Sequence, residues 1–247
     1  MSCSFVALAR KHHNSLSDGH EPDRFGMREL FCPAHQHLML IVVLTSALVV
    51  RVVHLRYYAL SPDEIMYLTI AKGATLGEVW RRGLAEMHPP FGHFVRHFLC
   101  LVSDDALFQR LASVAAGLCA VFAAHCLGRR VGGTVCGVIC ALLVAFASGP
   151  VVLSSVVRNY AFFLLLLIAA LTRYFAYAER PSGVNLAIYV GLAMLAAATH
   201  FSAFIVILCV GLAGAGEFCL GLKWKSLCRW LGAHSAPAVM AAGFYYE

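Results

Sequence analysis

An all-α, polytopic membrane protein is the fold class this chain predicts, and three observations carry that expectation. The 247 residues are 60% hydrophobic and only 13% charged, about half the charged share of an ordinary soluble domain. Mean hydropathy is +0.75. Apolar runs long enough to cross a hydrocarbon layer of roughly 30 Å recur from near residue 38 to the end of the chain. The net charge of +6 forms no basic, aromatic stripe outside these runs, so no nucleic-acid partner is expected. Loop arginines and lysines account for it. Most of the ten cysteines sit inside apolar runs and none forms a Cys-x-x-Cys. They read as small hydrophobes rather than as a disulfide framework or a zinc site.

Residues 1–37 are polar, His-rich and mixed in charge, without the short basic start and apolar core of a signal peptide. They read as a cytoplasmic tail. Cys32, His35 and His37 offer metal-ligand atoms, but three such residues at a membrane edge are not taken as a site. Residues 38–247 form the membrane module. About seven spans are expected, near 38–55, 106–127, 133–153, 159–178, 184–200, 201–221 and 231–246, the fifth marginal in length.

Charge sets the orientation. Gly128-Arg129-Arg130, Glu179-Arg180 and the segment from Lys223 to Arg229 separate alternate pairs of spans. They fall on one side with the basic tail, and that side is predicted to be cytoplasmic. The opposite side receives the loop 56–105, the Arg158-Asn159-Tyr160 turn and the Thr199-His200 turn. Two juxtamembrane helices are expected in this first external loop. One starts at Ser61-Pro62-Asp63-Glu64 and runs through Tyr67 to about Gly73. The other covers Phe91 to Val102, too short to span and basic in its middle, as an interfacial amphipathic helix.

Two readings compete for the Asp-Glu pair. Ser61 as N-cap, Pro62 as first helical residue and Glu64 closing a capping box explain Glu64 well, and Asp63 less specifically. Alternatively a carboxylate at a helix start beside a sheltered membrane-surface cavity is a general base, kept ionised by the helix dipole. Asp63 and Glu64 are therefore the catalytic candidates. His88-Pro89-Pro90 is a stiff turn that either ends one helix and launches the next or holds the His88 ring beside the carboxylates. Arg158 is either a snorkelling interfacial arginine or a planar fork of donors for phosphate oxygens. His200 is a second donor of that kind or a satisfied interfacial histidine. Arg56 and Arg110 lie on the same side. His93 and His97, four apart on one helical face, are not favoured as metal ligands. The spans hold no acidic residue except Glu217 and the terminal Glu247, which weakens the reading as a carboxylate-coupled transporter.

The order of these features resembles the GT-C superfamily of integral-membrane glycosyltransferases, above all the protein mannosyltransferases and aminoarabinose-type transferases. The matching stretches are Leu55-Arg56, Ser61 to Tyr67, His88-Pro89-Pro90-Phe91, Phe108 to Ser113, Gly128-Arg129-Arg130, Ser155 to Tyr160 and Thr199-His200-Phe201. The resemblance implies a polyprenyl-phosphate sugar as donor and a protein, lipid or glycan hydroxyl as acceptor. Membrane lipid surrounds both, and the active loop faces away from the cytoplasm in a bacterial inner membrane or an endoplasmic reticulum. It implies Asp63 as base and basic residues stabilising the leaving lipid phosphate, Arg158 first, with His88 and His200 next. Tyr67, Tyr160 and Arg56 join this substrate-binding set. Ser154 to Tyr160 lacks the second acidic residue that some relatives carry, so no metal or other cofactor is indicated, although a divalent cation stays open. Family members are usually longer, and this chain is expected to be their N-terminal part. A non-catalytic multi-pass protein, either a transporter or an assembly subunit, is the alternative.

Overall fold

The computed structural model describes residues 33–55, 59–86, 89–222 and 224–246. Most of the N-terminal tail with Cys32, and Arg56, His88 and Lys223, therefore lie outside the described residues. Among the described residues every element is helical. They are α1 (Pro33–Leu55), α2 (Pro62–Ala71), α3 (Leu76–Ala85), α4 (Phe91–Cys100), α5 (Ala106–Phe146), α6 (Ser148–Leu153), α7 (Tyr160–Glu179), α8 (Gly183–Thr199), α9 (Ser202–Leu220) and α10 (Trp224–Tyr246).

Four described helices are long and apolar enough to cross a membrane: His35–Leu55, Ala106–Phe146, Tyr160–Glu179 and Ser202–Leu220. Helix α8 is apolar but has 17 residues, matching its marginal length in the sequence. Helix α10 starts at Trp224, ahead of the apolar run expected from residue 231, and so takes in Lys225 and Arg229.

Helix α5 has 41 residues. A straight helix of that length would measure about 60 Å, twice the hydrocarbon thickness. It does not run straight. Gly132 (φ −138°, ψ 20°) and Gly133 (φ 77°, ψ −168°) leave the helical region, and the second conformation is one that only glycine adopts easily. Residues nine apart in a continuous helix lie about 13 Å apart, yet a Cβ on Gly128 would meet Gly137 Cα at 2.8 Å and Cys136 O at 2.6 Å. The two limbs fold back on each other. Val121 joins Ala141 and Ala145 in one buried cluster with Val43 and Ala47 of α1. Small residues let helix backbones approach this closely where lipid removes most of the hydrophobic drive. Gly128→Leu is expected to destabilise the protein by about 1–3 kcal/mol through overpacking against backbone that cannot yield. A lowered thermal midpoint in detergent would register it.

Helices α5, α7 and α8 pack in sequence, with α1 against α5 and α10 against both α8 and α9. Trp230 on α10 is fully buried. Its ring lies parallel to those of Tyr177 and Tyr189, 5.8 and 5.6 Å away, and its indole N–H donates to Gly211 O at 2.9 Å. At the end of the bundle formed by the first limb of α5 and by α7, Arg130 pairs with Glu179 at 2.7 Å. The segment between α1 and α5 caps the other end.

That segment holds three short helices, one more than expected. The additional one is α3, started by Thr75, whose hydroxyl accepts from Glu78 N–H. A threonine followed three residues on by glutamate is a helix-start pattern that stood in the sequence. Helix α4 is amphipathic as expected, but its polar face points inward. His93 and Arg96 are fully buried, while Phe98, and Leu101 and Val102 just past the helix end, are exposed.

Candidate functional site

Local chemistry starts at Ser61. Its backbone is extended (φ −72°, ψ 157°), its hydroxyl accepts from Glu64 N–H, and Glu64 accepts from Ser61 N–H at 3.0 Å. The expected capping box is present, with Pro62 in the first helical turn. Glu64 does more than cap. It is 2% exposed. Its two oxygens accept from Arg110 Nε and Nη2 at 3.0 and 2.9 Å, and Oε1 also accepts from Val157 N–H at 2.8 Å. Burial alone would disfavour the charge, but the Arg110 fork and the Ser61 and Val157 N–H groups outweigh it. They hold the Glu64 carboxyl below its usual range. Its lone pairs are committed to the protein.

Asp63, one residue earlier, faces the other way. Its side chain is 70% exposed, and Oδ2 pairs with Arg158 Nη1 at 3.0 Å. Arg158 is 12% exposed. Its guanidinium lies 5.3 Å from the Tyr67 ring centre and 5.5 Å from that of Tyr160, within cation–π range of both. Nη2 also donates to the Tyr160 hydroxyl at 3.4 Å. Tyr67 stacks on His93 with ring centres 4.0 Å apart. Burial pushes the Tyr67 phenol up, against the opposing pull of Arg158 and Arg96, so it stays protonated at neutral pH.

The turn that carries Arg158 is clamped from three elements. Glu64 of α2 holds the Val157 N–H. Ser113 of α5 donates to Val156 O at 2.7 Å. Arg96 of α4 donates to Arg158 O at 3.2 Å. Arg96 also bonds Gln109 O and Ser113 Oγ, and lies 5.3 Å from the Phe162 ring centre. Its burial lowers its pKa to about 10, which still leaves it charged at neutral pH. Oxygens of neutral groups and an aromatic face surround this cation.

His200 ends α8. Its ring lies 5.4 Å from Tyr160 and 5.2 Å from Phe163, and Nδ1 accepts from Ser202 N–H at 3.1 Å. Beside it, Asn159 Nδ2 donates to Thr199 O at 3.4 Å. Gly92 packs directly against Asn159: a Cβ there would fall 1.9 Å from the Asn159 side chain. Gly92→Ala is expected to push α4 off this turn and destabilise the protein by about 1–3 kcal/mol, read as a lowered thermal midpoint. An apolar groove of about 380 Å³ opens next to these residues, lined by Trp80, Pro90, Phe91, Phe94, Ala198 and Met240.

The structure thus brings Asp63, Tyr67, Arg158, Tyr160 and His200 together at one end of the bundle, from segments far apart in the chain. Glu64 adjoins them but points into the protein. His88 and Arg56 lie outside the described residues. His97 Nδ1 bonds Ala71 O at 2.8 Å while His93 stacks on Tyr67, so the two histidines serve different partners. No group of three or more His, Cys, Asp or Glu side chains suited to a metal occurs among the described residues. Sequence reasoning did not find Arg96 as the support of Arg158, nor Arg51. Arg51 is fully buried near the end of α1 and bonds Ser154 Oγ at 2.8 Å and Val144 O and Ala145 O at 3.0 Å. An arginine inside an apolar run was the available signal for the second. No protein-family model, curated protein or solved structure matches this chain.

Proposed function

We propose that this chain is a glycosyltransferase module of the GT-C type, which moves a sugar from a polyprenyl-phosphate donor to an acceptor hydroxyl at the membrane surface. The observation that carries this reading is the Asp63–Arg158 pair at 3.0 Å. It sets a solvent-facing carboxylate beside a nearly buried arginine that lies within cation–π range of two tyrosine rings. The site offers both a base and an anion ligand. An inverting transfer uses them from opposite faces of the anomeric carbon, so the two side chains part as the sugar-phosphate enters. The acceptor oxygen attacks the anomeric carbon and its proton passes to Asp63. The bond from that carbon to the phosphate oxygen breaks, and the electron pair leaves with the lipid phosphate. Arg158 neutralises the growing negative charge, with the His200 and Tyr160 side chains beside it. Glu64 acts at one remove, by fixing the helix that bears Asp63 and the turn that bears Arg158. The apolar groove next to the site suits the first isoprene units of the donor.

This reading also takes the membrane layout beyond four spans. The two limbs of α5, the second extended by α6, count as separate crossings, and α8 and α10 as two more, which gives seven. The active end then faces away from the cytoplasm, opposite the Arg130–Glu179 end. A protein, lipid or glycan hydroxyl serves as acceptor.

The test is turnover. Purified protein in detergent is incubated with a panel of radiolabelled polyprenyl-phosphate sugars, and release of lipid phosphate is compared between wild type and Arg158→Gln. Release by wild type and a loss of about 10²-fold or more in the variant is the expected result. Equal release by both would remove Arg158 from the reaction. No release from any donor by folded wild-type protein would count against the reading as a whole.

A further inference from the structure

Arg158 and Asp63 are unequal partners. The arginine is nearly enclosed, within cation–π range of both the Tyr67 and Tyr160 rings, and its backbone carbonyl is held by Arg96. The residues just before it are fixed through Ser113 and Glu64. Asp63 sits in the first turn of α2 with its side chain 70% exposed, and among the described residues Arg158 is its ion-pair partner. The cation has several contacts to hold it in place, and the exposed carboxylate has room to leave it. An ion pair with one partner largely in water is weak, whereas a phosphate offers several oxygens to the same planar fork and binds it more strongly.

We infer that the Asp63–Arg158 pair is a latch that an entering phosphate opens. The ligand is a phosphate monoester or diester anion, and it competes with Asp63 for Arg158 Nη1. Binding transfers the arginine to the anion and releases the Asp63 carboxylate, which becomes available to take a proton. Before the donor arrives, the base is held by the residue that will bind the donor. Donor binding therefore precedes activation of the acceptor, and an acceptor or water entering first meets a carboxylate engaged with Arg158. The inference rests on the functional reading above and adds to it a binding order and a reciprocal cost: the base weakens donor binding.

The experiment measures equilibrium binding of radiolabelled farnesyl phosphate to the full chain in detergent. It uses wild type, Asp63→Asn, Arg158→Gln and Asp104→Asn, each confirmed folded by its size-exclusion profile. Asp104 is the control for charge, because it is an exposed carboxylate paired with Lys72 instead. Removing a weak competitor should tighten binding by about three- to fivefold in Asp63→Asn. Arg158→Gln should lose binding, and Asp104→Asn should match wild type. Unchanged or weaker binding in Asp63→Asn, with Arg158→Gln still losing it, overturns the latch and leaves the phosphate role of Arg158 intact. Equal tightening in Asp104→Asn also overturns it, since the effect would then be general charge. Binding that is absent from wild type and Asp63→Asn alike, or indifferent to Arg158, overturns the latch and the functional reading together.

Discussion

Asp63→Asn is expected to lower lipid-phosphate release by about 10²–10⁴-fold, the usual contribution of a positioned general base, while leaving stability within about 0.5 kcal/mol of wild type. The amide keeps the size of the carboxylate and can still face Arg158, but it cannot accept a proton. The Asp63 side chain is itself 70% exposed, and its partner Arg158, at 12% exposure, keeps an oxygen to donate to in the asparagine amide. Single-turnover release and a thermal melt in the same detergent check the two halves of the prediction. Turnover within a few-fold of wild type would exclude Asp63 as the base. A large fall in the melting midpoint would instead assign Asp63 a role in holding the Arg158 turn.

The neighbouring carboxylate should behave in the opposite manner. Glu64→Ala is expected to destabilise the protein by about 3–5 kcal/mol, because it strands the buried Arg110 guanidinium and frees the Val157 N–H. Activity lost beyond the lost protein would follow from a displaced Arg158 turn rather than from a missing catalytic group. Replacing both partners, as Glu64→Leu with Arg110→Leu, should recover part of that stability, since no uncompensated charge remains. The pH dependence has a definite sign. The Glu64 carboxyl is held below its ordinary value of 4.5. Its contribution is therefore complete above that value and is lost as pH falls through the lower, folded-state value. Thermal midpoints measured from pH 6 downward should fall less in Glu64→Ala than in wild type, because the variant has already lost this term. Parallel curves would show that the pair contributes little.

These two predictions separate adjacent residues whose roles look alike in sequence. The capping pattern of Ser61 to Glu64 was legible because it is local: four residues set the helix start by their own hydrogen bonds. What Glu64 does beyond capping was not legible, since Arg110 and Val157 lie 46 and 93 positions away. The same distinction explains α4. Its alternation of basic and apolar residues announced an amphipathic helix, and an interfacial one was expected. The structure turns His93 and Arg96 inward, where carbonyls, a hydroxyl and aromatic faces receive them. Periodicity shows that a helix has two faces, and only the neighbouring elements decide which face is buried. Helix α3 was missed although Thr75 and Glu78 signal it, because its weakly apolar sequence gave no hydrophobic run to follow.

Composition and local pattern by themselves determined that this is a helical chain with segments long and apolar enough to cross a membrane. They also determined where α2 begins and that polar, titratable residues stand at the ends of the apolar runs. Those properties depend on hydrophobicity and on hydrogen bonds a few residues apart. Tertiary structure alone decided the reversal of α5 at Gly132-Gly133, the inward face of α4 and the contact of Arg158 with the Tyr67 and Tyr160 rings. It also decided that Asp63 faces solvent while Glu64 is locked to Arg110. Each of these depends on contacts between segments distant in the chain, where packing and the need to satisfy buried charge leave a single arrangement.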